Sequence, residues 1–166
     1  GVDGRELWRS DGTEAGTVKV RDINAGAVGS NPRSLINVNG TLFFAADDGV
    51  GGRELWRSDG TEAGTVMVRD IFPGSAASSP TALANVNGTL FFSADDGVSR
   101  REPWRSDGTE TGTTLVRDVS VSVSSEAFAD PNNVAKMNGA LFFRADEGRG
   151  GMELWRSDGT EAGTAR

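Results

Sequence analysis

Seven consecutive residues, Trp8-Arg9-Ser10-Asp11-Gly12-Thr13-Glu14, return unchanged at Trp56 to Glu62, Trp104 to Glu110 and Trp155 to Glu161. The tryptophans are 48, 48 and 51 residues apart. Self-similarity at a fixed period of this size marks a chain built from tandem copies of one supersecondary unit. Any fold assigned to it has to use the same unit four times.

The second copy supplies the template, because it is complete. It reads as four short strands. Pro80 to Val86 places Leu83 on one face and Ala82, Ala84 and Val86 on the other. Asn87-Gly88 follows, and Asn39-Gly40 and Asn138-Gly139 repeat it. An Asn-Gly link between apolar runs is a strong hairpin signal, since both central residues of a type I′ turn need positive φ. The next strand, Thr89 to Ala94, sends Leu90, Phe92 and Ala94 one way and Phe91 the other. A strand apolar on both faces is buried on both. The third strand is Arg53 to Ser58, and the fourth, Val66 to Ile71, is more polar, as suits an outer edge. No stretch keeps an i, i+3, i+4 apolar stripe, and glycine interrupts every candidate helix.

This pattern predicts an all-β chain, a β-propeller of four-stranded antiparallel blades of about 48 residues. A solenoid is the alternative. Only about three blades fit in 166 residues. The expected division is a partial blade at 1–31, blades at 32–79 and 80–130, and a partial blade at 131–166. The first partial blade has a third strand (Glu6 to Ser10) and a fourth (Val18 to Ile23). The last has strands around Asn133 to Met137, Ala140 to Ala145 and Glu153 to Ser157, and ends at Arg166, where a fourth should begin. The connection Ser120 to Asp130 is longer than its counterparts. Proline cannot donate to a ladder, so Pro103, inside a third strand, has to meet a gap or a bulge.

Glu6-Leu7-Trp8-Arg9-Ser10-Asp11-Gly12-Thr13 resembles the signature of the bacterial ELWxxDGT repeat family. Glu54 to Thr61 and Glu153 to Thr160 match it fully, and the third copy departs at Pro103. The resemblance covers essentially the whole chain. It implies propeller-like tandem arrays in bacterial proteins that are secreted or held at the cell surface, and it carries over no catalytic residue.

Composition narrows the chemistry. The net charge of −7 argues against nucleic acid, which needs clustered Lys and Arg. No run of 18 apolar residues suggests membrane insertion by a helix. Gly1 is not a natural start, which points to a removed leader or a fragment. Cysteine, histidine and tyrosine are absent, removing the commonest general base and the thiolate and imidazole metal ligands. Carboxylates abound, but a glycosidase pair needs two unlike environments to separate its pKa values. Near-identical repeats supply near-identical environments, so a non-catalytic protein is expected.

The motif offers one candidate ligand-binding set per copy: Trp8, Arg9 and Asp11; Trp56, Arg57 and Asp59; Trp104, Arg105 and Asp107; Trp155, Arg156 and Asp158. The tryptophans read either as platforms for sugar rings or as packing between neighbouring blades, and regular recurrence favours packing. The arginines read as internal partners of nearby carboxylates. The Asp-Gly steps read as turn chemistry. Calcium is a further reading of Asp47-Asp48-Gly49, Asp95-Asp96-Gly97 and Asp146-Glu147-Gly148, although a calcium loop alternates its oxygen ligands and these are adjacent. No other cofactor is expected. Two functions stay open: a structural or protein-interaction scaffold, and a lectin-like multivalent carbohydrate binder with one site per blade. Three blades cannot ring an axis, so a homodimer completing a six-bladed propeller is the expected self-partner.

Overall fold

The computed structural model describes residues 4–119, 134–148 and 151–166. Thirteen strands and no helix are present among them. The strands are β1 (Leu7–Arg9), β2 (Val18–Arg21), β3 (Arg33–Val38), β4 (Thr41–Asp47), β5 (Arg53–Ser58), β6 (Val66–Arg69), β7 (Thr81–Val86), β8 (Thr89–Asp95), β9 (Arg101–Ser106), β10 (Thr114–Leu115), β11 (Val134–Met137), β12 (Ala140–Ala145) and β13 (Glu153–Ser157). They form four antiparallel sheets in chain order: β1-β2, β3-β4-β5-β6, β7-β8-β9-β10 and β11-β12-β13. The all-β expectation holds. The connection expected at Ser120 to Asp130 lies outside the described residues, as does Asn133.

Local chemistry sets the hairpins. Asn39 and Gly40 have φ of 52° and 85°, and Asn87-Gly88 and Asn138-Gly139 repeat the pair, as the type I′ reading requires. The fourth strands end earlier than their sequence suggests. Ile71 leaves the ladder because its N–H turns to the carboxylate of Glu54, at 3.0 Å. A bulge interrupts β3 and β7, at Ser34 and Ala82, which adopt φ of 56° and 55°. Neither residue type advertises that conformation in the sequence.

Pro103 sits where the third strand already irregularly pairs. In the first two sheets the ladder to the fourth strand shifts register between Leu7 and Trp8 and between Leu55 and Trp56. Pro103 occupies the position of Leu55, and the β9–β10 ladder stops at Trp104. Its carbonyl accepts from Val116 N at 2.9 Å. The missing donor therefore falls where the β9–β10 ladder has already ended, at the position where the first two sheets carry a bulge.

The sheets pack on one another in sequence. Leu7, Val20 and Ile23 of the first sheet meet Phe44, Ala46 and Trp56 of the second. Val38, Phe43, Leu55, Val68 and Ile71 of the second meet Leu90, Phe92, Ala94 and Trp104 of the third. Phe91, Val116 and Val119 of the third meet Leu141, Phe143, Ala145 and Trp155 of the fourth. Phe91 and Phe92, adjacent in β8, thus serve two different cores, as period-2 alternation dictates. Phe92 is fully buried. Phe92→Ala is expected to cost about 3–5 kcal/mol in urea unfolding, the usual cost of emptying a core aromatic site; a loss below about 1 kcal/mol would contradict this packing.

Candidate functional site

The repeated motif lies across the third strand of each sheet and the loop that leaves it. Its glutamate points inward. Glu54 is fully buried. One carboxylate oxygen accepts from Ile71 N at 3.0 Å and from Ser78 Oγ at 2.5 Å, and the other from Ser78 N at 2.8 Å. Glu6 holds Ile23, Asn24 and Ser30 in the same way. Glu102 accepts from Val119 N at 3.0 Å. One side chain thereby fastens the end of the fourth strand and the connection to the next sheet onto the third strand. Burial pushes the Glu54 carboxyl above its ordinary pKa, against the opposing pull of the Ser78 and Ile71 hydrogen bonds.

The loop after the third strand closes on itself. Asp59 Oδ1 accepts from Thr61 N at 2.8 Å and Thr61 Oγ1 at 2.7 Å. Gly64 N donates to Thr61 Oγ1 at 3.0 Å, and Thr65 Oγ1 donates to Thr61 O at 2.6 Å. Ser58 Oγ and Thr65 Oγ1 share a hydrogen bond of 2.7 Å across the base of the loop. The copies at Asp11, Asp107 and Asp158 have the same bonds. A β-carbon on Gly64 would lie 2.1 Å from Asp59 Oδ1, so the aspartate itself imposes the second glycine. The threonine hydrogen bonds hold all four aspartates below the ordinary carboxylate pKa.

The tryptophans face the preceding sheet. Trp56, Trp104 and Trp155 are each 4–5% exposed. An arginine at or just beyond the fourth strand of the preceding sheet lies over each ring: Arg21 at 6.0 Å from Trp56, Arg69 at 5.7 Å from Trp104 and Arg117, two residues past β10, at 5.7 Å from Trp155. The same arginines donate to the carbonyls of Thr65, Thr113 and Thr164. Each arginine is therefore a clamp from one sheet to the motif of the next. Among the described residues Trp8 has no such cover, and it is 57% exposed.

The structure thus separates the three members of each predicted set. Trp56, Trp104 and Trp155 go into the sheet junctions, Trp8 stays exposed, and the aspartates go into the loop turns. The arginines stay at the surface. Arg9, Arg57, Arg105 and Arg156 form no ion pair among the described residues, contrary to the pairing expected of them; Arg105 instead donates to Thr114 Oγ1 at 3.3 Å. The reason is that threonine hydroxyl and amide groups already occupy the aspartates. Arg57 and Asp107 do meet across a junction, in a recess of about 110 Å³ with Asn39, Thr41, Phe43 and Gly88. The Asp-Asp-Gly loops are turns as well: Asp47 Oδ1 accepts from Gly49 N, and Asp48 Oδ1 from Val50 and Gly51 N. Among the described residues no three carboxylates converge on a point where a cation would sit.

Sequence reasoning missed two functional side chains of the fold. The glutamate tie was visible as a Glu-to-Ser interval of 24 residues, at Glu6–Ser30 and Glu54–Ser78. The arginine clamp was visible as Arg21, Arg69 and Arg117 at equal intervals. Comparison with protein-family models, characterised proteins and solved structures returns no match for the chain.

Glu54→Gln tests the tie. An amide nitrogen at either carboxylate position faces a backbone N–H, from Ile71 or from Ser78, so one donor is stranded. A loss of about 1–3 kcal/mol is expected, and a neutral result would remove the tie from the argument. Asp59→Asn tests the loop. A depressed aspartate pKa contributes stability that is present above its unfolded value and lost as pH falls through the folded value. Asparagine keeps the acceptor but not the titration. The slope of stability against pH, measured below about pH 4, should flatten in the variant; an unchanged slope would contradict the role of the ionised form.

Proposed function

We propose that the chain is a non-catalytic repeat scaffold, a segment of β-propeller whose four sheets are blades, and that it works by associating with other protein surfaces. The observation that carries this reading is where the motif's polar groups go. Glutamate, aspartate, threonine and serine are hydrogen-bonded inside the repeat, and tryptophan is covered by arginine. Selection for such a motif is selection for stacking copies of one unit, which favours a scaffold. A setting outside the cell or on a bacterial surface follows from the family resemblance and is proposed with it.

The ends support an assembling module. The first sheet exposes Trp8, and the fourth exposes Leu154 at 63%, whereas the equivalent Leu55 is fully buried. Apolar residues presented at open sheet faces favour association. The closed form we propose is a six-bladed homodimer, with β1–β2 of one chain completed by β11–β12 of its partner and one of the two duplicate third strands, β1 or the partner's β13, displaced, because β12 is paired with β13 within its own chain. Carbohydrate binding at the junctions is the weaker reading, since Trp56, Trp104 and Trp155 lie under arginine.

Light scattering coupled to size exclusion tests the assembly. A dimeric mass is expected, with a melting temperature that rises with concentration. Trp8→Ser should weaken the dimer at least about tenfold, a loss of about 1.4 kcal/mol. A monomer with a concentration-independent melt would refute it.

A further inference from the structure

We propose that Asn39 and Asn87 are sites of a spontaneous covalent modification, deamidation through a cyclic imide, and that the stacking of the sheets holds it off. Each asparagine is exposed and precedes a glycine in a turn of left-handed backbone: Asn39 and Gly40 have φ of 52° and 85°, and Asn87 and Gly88 of 51° and 84°. Glycine has no β-carbon to shield its amide nitrogen, which lies next in the chain to the asparagine carboxamide. In the reaction that nitrogen attacks the asparagine Cγ. The bond from Gly40 N to Asn39 Cγ forms, the Cγ–Nδ2 bond breaks, and ammonia leaves with the proton that the backbone nitrogen gives up. Water then opens the imide ring. Attack at Cγ yields aspartate. Attack at the backbone carbonyl yields isoaspartate, in which the main chain runs through the side-chain carbon.

The folded turns oppose each of these steps. The nitrogen attacks only once it has lost its proton, and Gly40 N donates to Asn37 Oδ1 at 3.1 Å, as Gly88 N does to Asn85 Oδ1 at 3.0 Å. The leaving group is held as well. Asn39 Nδ2 donates to Gly88 O at 3.2 Å, across the junction between the second and third sheets. Asn85 Nδ2 donates back to Asn37 O at 3.3 Å and ties the same two turns again. A β-carbon on Gly88 would lie 2.6 Å from Asn39 Nδ2, and one on Gly139 2.8 Å from Asn87 Nδ2. Each carboxamide is therefore lodged against the turn of the following sheet. Swinging it onto its own glycine nitrogen requires the junction to open.

The reaction turns a reversible opening into a permanent mark. Local openings cost from near zero up to the full unfolding free energy, and an inner turn closes its ring only while open. After hydrolysis to aspartate, a carboxylate oxygen stands where Asn39 Nδ2 stood, facing the Gly88 carbonyl. An acceptor then meets an acceptor, so the bond across the junction is lost and a negative charge is placed beside a carbonyl oxygen. Isoaspartate adds a carbon to the main chain of a two-residue hairpin link, whose geometry sets the strand register. Unstacked chains are thereby marked, and marked chains restack poorly.

Peptide mapping, with isoaspartate detected by an isoaspartyl methyltransferase, follows the reaction in mildly alkaline buffer. The samples are the native chain, the chain unfolded in guanidinium and a synthetic peptide of residues 34–44. Modification is expected at Asn39 and Asn87 of the unfolded chain and at Asn39 of the peptide, and at least about tenfold more slowly in the native chain. Asn37→Ala removes the acceptor of Gly40 N alone. It should accelerate modification of Asn39 in the native chain and leave Asn87 at its native rate. Asn39→Asp, which installs one product directly, should lower the melting temperature. Absence of modification in the unfolded chain and peptide, equal rates in native and unfolded chains, an unchanged Asn39 rate or an equal rise at Asn87 in the Asn37→Ala chain, or an unchanged melt for Asn39→Asp would each overturn the proposal.

Discussion

Phe91 and Phe92 sit next to each other in a strand and are both buried, and the rest of the structure depends on how that is achieved. Adjacent residues of a strand point to opposite faces, so no single layer can cover both. The sheet has to be sandwiched. The second and third sheets are, and their strands carry Phe43 with Phe44 and Phe91 with Phe92 into the cores on either side. Each junction then has a fixed polarity: valine and one phenylalanine from one sheet meet leucine, the other phenylalanine and tryptophan from the next. Arginine reinforces it from the fourth strand. Cation–π contact with a largely desolvated ring and a hydrogen bond to a loop carbonyl act through one side chain, which holds the sheet spacing and the position of the motif loop together.

Sandwiching apolar faces leaves the question of what stops the sheets from sliding or the connections from fraying. Buried polar groups answer it. A carboxylate surrounded by three N–H and O–H donors has one satisfactory arrangement, and Glu54 finds it only when Ile71 and Ser78 are both in place. Hydrophobic contact is tolerant of small shifts, but a desolvated carboxylate is not. The eight-residue loop from Ser58 to Thr65 applies the same logic at the surface. Its aspartate, threonines and glycines satisfy each other, so the loop needs no neighbour to be ordered. A motif recognised by eye as a candidate binding site is accounted for almost entirely by these two internal networks.

Much of this was legible in the sequence, for physical reasons that differ by element. The hairpins were readable because Asn-Gly has few conformational alternatives, and the strand faces because Leu90 to Ala94 is apolar on both sides. Ala140 to Ala145 and Glu153 to Ser157 fall where the alternation puts them. The bulges at Ser34 and Ala82 were not readable, since neither residue is specialised for positive φ and the register is set by the whole sheet. The site was misread where it mattered. Arg57 looked like a partner for the carboxylate two residues on, Asp59, but the side chain of Thr61 reaches that oxygen first at 2.7 Å. Short local hydrogen bonds outcompete a flexible guanidinium exposed to water. The clamp was missed because its two halves, Arg69 and Trp104, belong to different copies and come together only when sheets stack.

The first and fourth sheets differ from the inner two at matching positions. Opposite Trp56 and Trp104 stand Met67 and Leu115, both packed in cores; opposite Trp8 stands Lys19, paired with Asp22 at 3.1 Å. Where the inner sheets have Ala45 and Ser93, the fourth has Arg144. One position on each outer face has become cationic while Trp8 and Leu154 keep their apolar character. Stacking the fourth sheet of one chain directly on the first of another would bring both cations into one junction, with the Coulomb repulsion of like charges added to their desolvation. The two cations thus work against stacking the fourth sheet of one chain directly on the first of another.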